Sequence, residues 1–89
     1  MSEQHPMVGR QLTSNDPQPP AGTRVRDACG KVWINDGYYP VCWVEDPLPD
    51  YHDPETWTKI AGNYGPATVL EWGDEVVDQV MRMVAEASH

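Results

Sequence analysis

Arg24, Arg26, Lys31 and Trp33 are the first residues whose types and spacing suggest work beyond folding. On a pair of antiparallel strands they would share one face, setting three cations around one indole, an arrangement on which bases of single-stranded nucleic acid can stack. The charge of the whole chain argues against that use: six Lys and Arg stand against fourteen Asp and Glu, a formal net charge of -8. From Glu45 onward ten acids face two bases, Lys59 and Arg82, a balance that repels nucleic acid and anionic membranes and favours a basic partner or plain solubility. The Trp33 face is therefore expected to bind protein, without direct nucleic-acid contact.

A second candidate partner surface is the acidic, proline-broken stretch that holds Glu45, Asp46, Asp50, Tyr51, His52 and Asp53. Asp50, His52, Asp53 and Glu55 lack the glycine and ligand spacing of a calcium loop. Carboxylates paired for acid–base catalysis need a cleft that splits their pKa values, and nothing in the pattern builds one. Cys29 and Cys42 with His52 would give three zinc ligands, but there is no Cys-x-x-Cys. As diagonal strand neighbours the two cysteines stand slightly too far apart for an unstrained disulfide. Free thiols are expected, with no metal and no cofactor. The serines (Ser2, Ser14, Ser88) and histidines (His5, His52, His89) fall in tails or the acidic loop, and there is no glycine-rich phosphate loop. No catalytic residue is assigned, and an enzyme is not expected.

The elements that must position these residues are short. Eighty-nine residues permit one small core. Residues 1–21 hold four prolines (Pro6, Pro17, Pro19, Pro20) among Ser, Asn and Gln and read as a flexible arm, leaving residues 22–89 as a single small domain. Residues 23–26, 31–35 and 38–44 have strand character and are separated by the turn signals Asp27-Ala28-Cys29-Gly30 and Asn35-Asp36-Gly37. Two-residue turns would put Val25, Val32, Ile34, Tyr39, Val41 and Trp43 on one buried face and the Trp33 group, with Pro40 and Cys42, on the other. Pro40 objects, because it would oppose Trp33 in a hydrogen-bonded pair with no N–H to give. A three-residue loop with a bulge at Gly37 is the alternative.

Asp53-Pro54-Glu55 reads as a helix start, ending near Gly62 with Trp57, Ile60 and Tyr64 turned to the sheet, and residues 67–72 as a fourth strand. From Val76 the apolar positions recur at three and four spacing, behind Asp74 and Glu75 where the helix dipole favours negative charge. The expected fold is α+β, a small twisted antiparallel meander of three to four strands packed by a C-terminal α-helix and one short helix. The helix stripe is wide: Val76, Val80, Met83 and Ala87 form one seam, Val77, Met81, Val84 and Ser88 its neighbour. A second copy could use that width, with Val77, Val80, Met81 and Val84 as the contact of a homodimer.

Gly22-Thr23-Arg24-Val25-Arg26-Asp27, followed by Gly30-Lys31-Val32-Trp33 and later by Tyr64-Gly65-Pro66-Ala67-Thr68-Val69-Leu70, resembles the small proteins of unknown function encoded by actinobacteriophages and their actinobacterial hosts. The shared pattern is a Gly-x-x-Val-x-Asp-x-x-Gly-x-x-Trp strand pair and a Tyr-Gly-Pro turn. Cys29 stands where that pattern commonly has a second acid or polar residue, so no ligand site in the turn carries over. The resemblance implies a phage or prophage accessory protein acting in a bacterial cytoplasm, and no catalytic residue. No apolar run approaches a membrane span and the first residues lack a signal-peptide layout, which also favours a cytoplasmic location. The function expected is that of a non-enzymatic phage-type accessory protein that binds a host or phage protein. The alternatives are an acidic nucleic-acid mimic inhibiting a DNA-binding protein through Asp50, Asp53, Asp74 and Asp78, and a structural virion component that works as an oligomer.

Overall fold

A computed structural model of the chain describes residues 5–47, 50 and 53–87. Five strands form one antiparallel sheet: β1 (Gln11–Leu12), β2 (Arg24–Arg26), β3 (Val32–Asn35), β4 (Trp43–Glu45) and β5 (Ala67–Glu71), in the spatial order β1-β5-β2-β3-β4. A short π-helix (Lys59–Asn63) and the α-helix α1 (Glu75–Ala87) complete the α+β architecture, which has one strand more than the pattern predicts.

The first hairpin turns on three residues rather than two. Asp27 N–H donates to the Lys31 carbonyl and Gly30 N–H to the Asp27 carbonyl, with Gly30 at φ +91 closing the loop in a conformation glycine adopts without strain. The extra residue slides β3 by one, so Val25 pairs with Trp33, Arg26 with Val32 and Arg24 with Ile34. A slip of one residue exchanges the faces of a strand. Trp33 consequently joins Val25 and Val69 in the core, while Val32 and Ile34, expected there, lie half-buried on the face of Arg24 and Arg26. Beyond Asn35 the expected third strand is cut to Trp43–Glu45, and Trp33 pairs with Glu45 rather than Pro40. Val41, expected inside, is exposed in the connecting loop.

Trp43 and Trp57 meet in the core at 5.2 Å between ring centroids, with Ile60, Ala67 and Leu12 around them. Glu55 still pairs with Trp43 as an isolated bridge, which delays the short helix from Asp53 to Trp57; Trp57 and Ile60 nonetheless point inward as their spacing predicts. The proline-rich segment expected as a flexible arm is a packed wall. Leu12, Pro19, Pro20 and Ala21 are buried, Gln18 Oε1 accepts the Trp43 indole N–H (3.0 Å), and the Asp16 carbonyl accepts that of Trp57 (3.2 Å). Buried indole N–H groups need acceptors, and this segment supplies two. The chain at Gly73 passes so near Ala21 that a Cβ there would collide with the Ala21 carbonyl.

Asp74 caps α1, its Oδ1 accepting the Val76 (2.9 Å) and Val77 (3.1 Å) amides. The helix docks by its polar side. Asp78, 8% exposed, is its one buried residue: Oδ1 accepts from the Ala21 amide (2.9 Å) and the Tyr39 hydroxyl, Oδ2 from Arg82 Nε (2.7 Å). Met81 lies over Gly37, where no Cβ intervenes. The apolar stripe, expected to cover the sheet, faces away from it, because the tryptophans, Ile60 and the proline-rich segment already fill that place.

Candidate functional site

The residues singled out in the sequence separate onto different surfaces. Trp33 is 4% exposed and donates its indole N–H to Asp27 Oδ2 at 2.9 Å, so it is a core residue and not the centre of an open face. Lys31 lies over its ring, 5.5 Å from the centroid, and pairs with Glu45, which holds the Lys31 ammonium above its ordinary pKa. Arg24 sits on the opposite face of the sheet between Glu71 (3.0 Å) and Asp46 (2.7 Å), and these two carboxylates raise its pKa. Arg26 is exposed on that same face. Asp50 and Asp53 are exposed, and Tyr51 and His52 lie outside the described residues.

Four of the expected residues do come together. Lys31, Trp33, Glu45 and Asp53 line a cavity of about 400 Å³ with Asp27, Cys29, Glu55 and Tyr64. Its charges are largely answered from within: Asp27 accepts from Trp33 and the turn amides, Lys31 pairs with Glu45, and Glu55 lies 3.8 Å from Lys59. Cys29 is an exposed free thiol at this rim. Cys42 is a buried free thiol pushed up to about 12 by burial, with Asp36 adding to the shift.

The surface with unmet physical needs is α1. Val76 (71% exposed), Val80 (53%) and Met83 (67%) recur along one face, flanked by Val77 and Val84, which are also exposed. The largest apolar patch of a monomer is often functional, which makes this stripe the candidate docking surface. Of the four helix residues assigned to a contact, Val77, Val80 and Val84 stand on this face, whereas Met81 turns inward over Gly37. Glu75 and Glu86 are exposed but lie toward the body of the protein rather than along the stripe, Glu75 lining a cavity with Leu12 and Asp78 and Glu86 one with Tyr39 and Arg82, and the single helical cation, Arg82, is held by Asp78.

Asp78 and Asn35 are the structural residues that the sequence pattern hid. Asn35, 1% exposed, donates to the Pro19 carbonyl (3.0 Å) and the Tyr39 hydroxyl (3.1 Å) and accepts the Gly37 amide (2.9 Å). Tyr39 passes that link on to Asp78, so one polar chain joins the proline-rich segment, β3 and α1. The i,i+4 spacing of Asp78 and Arg82, opposite the apolar stripe, was the available signal. No described residues form a metal-ligating cluster, and no described helix is long and apolar enough to cross a membrane. No protein-family model, curated protein or solved structure matches this chain.

Proposed function

We propose that this is a non-enzymatic binding protein that holds a basic amphipathic segment of another protein against α1. The observation that carries the reading is an exposed apolar stripe centred on Val80, on a chain of net charge -8. Burial of the apolar stripe supplies the attraction, and the net negative charge of the chain favours a basic partner and steers its approach. A second copy suits the stripe less well. Pairing of two copies would join two chains of net charge -8, which repel each other. The resemblance to actinobacteriophage proteins supplies the setting, an accessory factor acting on a host or phage protein in a bacterial cytoplasm. The nucleic-acid mimic loses two of its four carboxylates to structural duties, since Asp74 caps α1 and Asp78 is buried and paired.

The test is parallel capture from actinobacterial lysate on the wild-type protein and Val80→Asp, after which the basic segment of any retained protein is synthesised and titrated. The expected result is a segment that binds wild type and is weakened about tenfold or more by Val80→Asp, with the thermal midpoint unchanged. A partner held equally by both proteins overturns the assignment. Recovery of the protein alone, sedimenting as a dimer that Val80→Asp converts to monomer, gives the stripe to a second copy instead.

A further inference from the structure

Pro17-Gln18-Pro19-Pro20 sets Pro17 and Pro20 one polyproline turn apart, and Asp16, Gln18 and Pro19 each precede a proline, which favours an extended backbone. The stretch belongs to no strand. Turns bound it on both sides, the Asp16 amide donating to the Thr13 carbonyl (3.0 Å) and the Thr23 amide to that of Pro20 (3.1 Å). Between the turns, side chains of the body hold it. Trp57 donates its indole N–H to the Asp16 carbonyl, Trp43 donates to Gln18 Oε1, and Asn35 Nδ2 donates to the Pro19 carbonyl at 3.0 Å.

These three donors form one surface. Asn35 and Trp43 are partners across β3 and β4, and the Trp43 and Trp57 rings stand 5.2 Å apart. Buried donors in a core can draw acceptors from many parts of a chain, but all three draw on residues 16–19. Pro19 and Pro20 are buried, yet the stretch is not enclosed. Cavities of about 370 Å³ and 270 Å³ adjoin it; Gln18 lines both, and Asp16, Pro17 and Pro20 line the larger. It is seated along its row of donors and open beside them.

We infer that Trp43, Trp57 and Asn35 form a binding site for an extended proline-rich peptide, filled by the chain's own residues 16–20 and able to take the same chemistry from another protein. Aromatic-lined grooves hold such segments at low entropic cost because proline has already restricted the backbone, and its carbonyls, committed to no ladder, remain free to accept. The occupant specifies the ligand: Pro-x-x-Pro with a side-chain acceptor at the second position for Trp43. Its tether makes it a standing competitor at an effective concentration of millimolar order, so a partner's peptide gains the site as the tethered stretch is weakened. This site is independent of the apolar stripe on α1.

The experiment weakens the resident stretch within the full chain. Gln18→Met keeps the bulk and removes the acceptor, so the Trp43 indole resonance should leave its wild-type position in proton–nitrogen spectra while that of Trp33 stays. Titration with a blocked peptide of residues 15–21 should return the Trp43 signal saturably toward the wild-type position. The same peptide with alanine for its three prolines should act about tenfold more weakly. A Trp43 signal unmoved at millimolar peptide, or an equal response to the alanine peptide, overturns the proposal. Should the variant fail to fold, the isotope-labelled wild-type chain decides: excess unlabelled peptide should give nuclear Overhauser contacts from its prolines to the Trp43 and Trp57 indole N–H groups, and their absence overturns the proposal. Val80→Asp should leave the peptide response unchanged, so failure of the helix surface and failure of this site are separate results.

Discussion

Asp27 accepts three hydrogen bonds, with Oδ1 from the Cys29 and Lys31 amides and with Oδ2 from the Trp33 indole, each at 2.9 Å. One carboxylate thus closes the turn and fixes the orientation of the largest side chain in β3. Asp27→Ala strips the acceptor from a buried indole N–H and opens the turn, and a loss of about 2–4 kcal/mol in urea denaturation is expected. Trp33→Ala, which leaves a cavity beside Val25, is expected to cost about 3–5 kcal/mol. A loss near zero at Trp33 would return that residue to the surface. The turn itself was legible, since Asp27 and Gly30 are strong turn residues, but its length was not. Two- and three-residue loops share this chemistry and differ only in which face each later side chain occupies.

At the scale of the element, α1 was legible in extent and illegible in orientation. Periodicity reveals that a helix has an apolar side, but it does not tell what that side meets. The decisive contacts are polar and long-range, from Asp78 to Ala21 and Tyr39. Partial burial opposes ionisation of Asp78, yet hydrogen bonds from Tyr39, Arg82 and the Ala21 amide outweigh it, and its pKa falls below the ordinary 3.8. Tyr39 is pushed up to about 12, by burial first and then by its bond to Asp78. A lowered carboxylate stabilises the fold above its unfolded pKa and is lost as pH falls through its folded one. A raised phenol stabilises below its unfolded pKa and is lost as pH rises through its folded one. Docking of α1 should therefore be firm between about pH 4 and pH 10 and weaken on both sides. Asp78→Asn should flatten the acid limb and Tyr39→Phe the alkaline limb, as read by the pH dependence of amide exchange along α1. Acid and alkaline limbs identical to wild type in these variants would show that other groups set the window.

For the whole molecule, the largest departure from the sequence reading is the N-terminal segment. Low hydropathy and four prolines described it as an arm, because its contribution is made through a few buried positions and through backbone and side-chain acceptors that composition does not reveal. Deleting residues 1–21 removes β1, the buried Leu12, Pro19, Pro20 and Ala21, and the acceptors of Trp43, Trp57 and Asn35. Against a total stability of about 5–15 kcal/mol for a domain, these losses should abolish cooperative unfolding, seen as a flat near-ultraviolet thermal profile. A sharp transition within a few degrees of the full chain would restore the arm. The sheet order carries one further consequence. The meander of β2, β3 and β4 uses neighbours in the chain, but β1 pairs only with β5, Gln11 opposite Thr68, and β5 also completes the pairing of β2. A ribosome delivers β1 well before β5, so the N-terminal wall over the tryptophans waits, unpaired, until the intervening β2, β3 and β4 have been made.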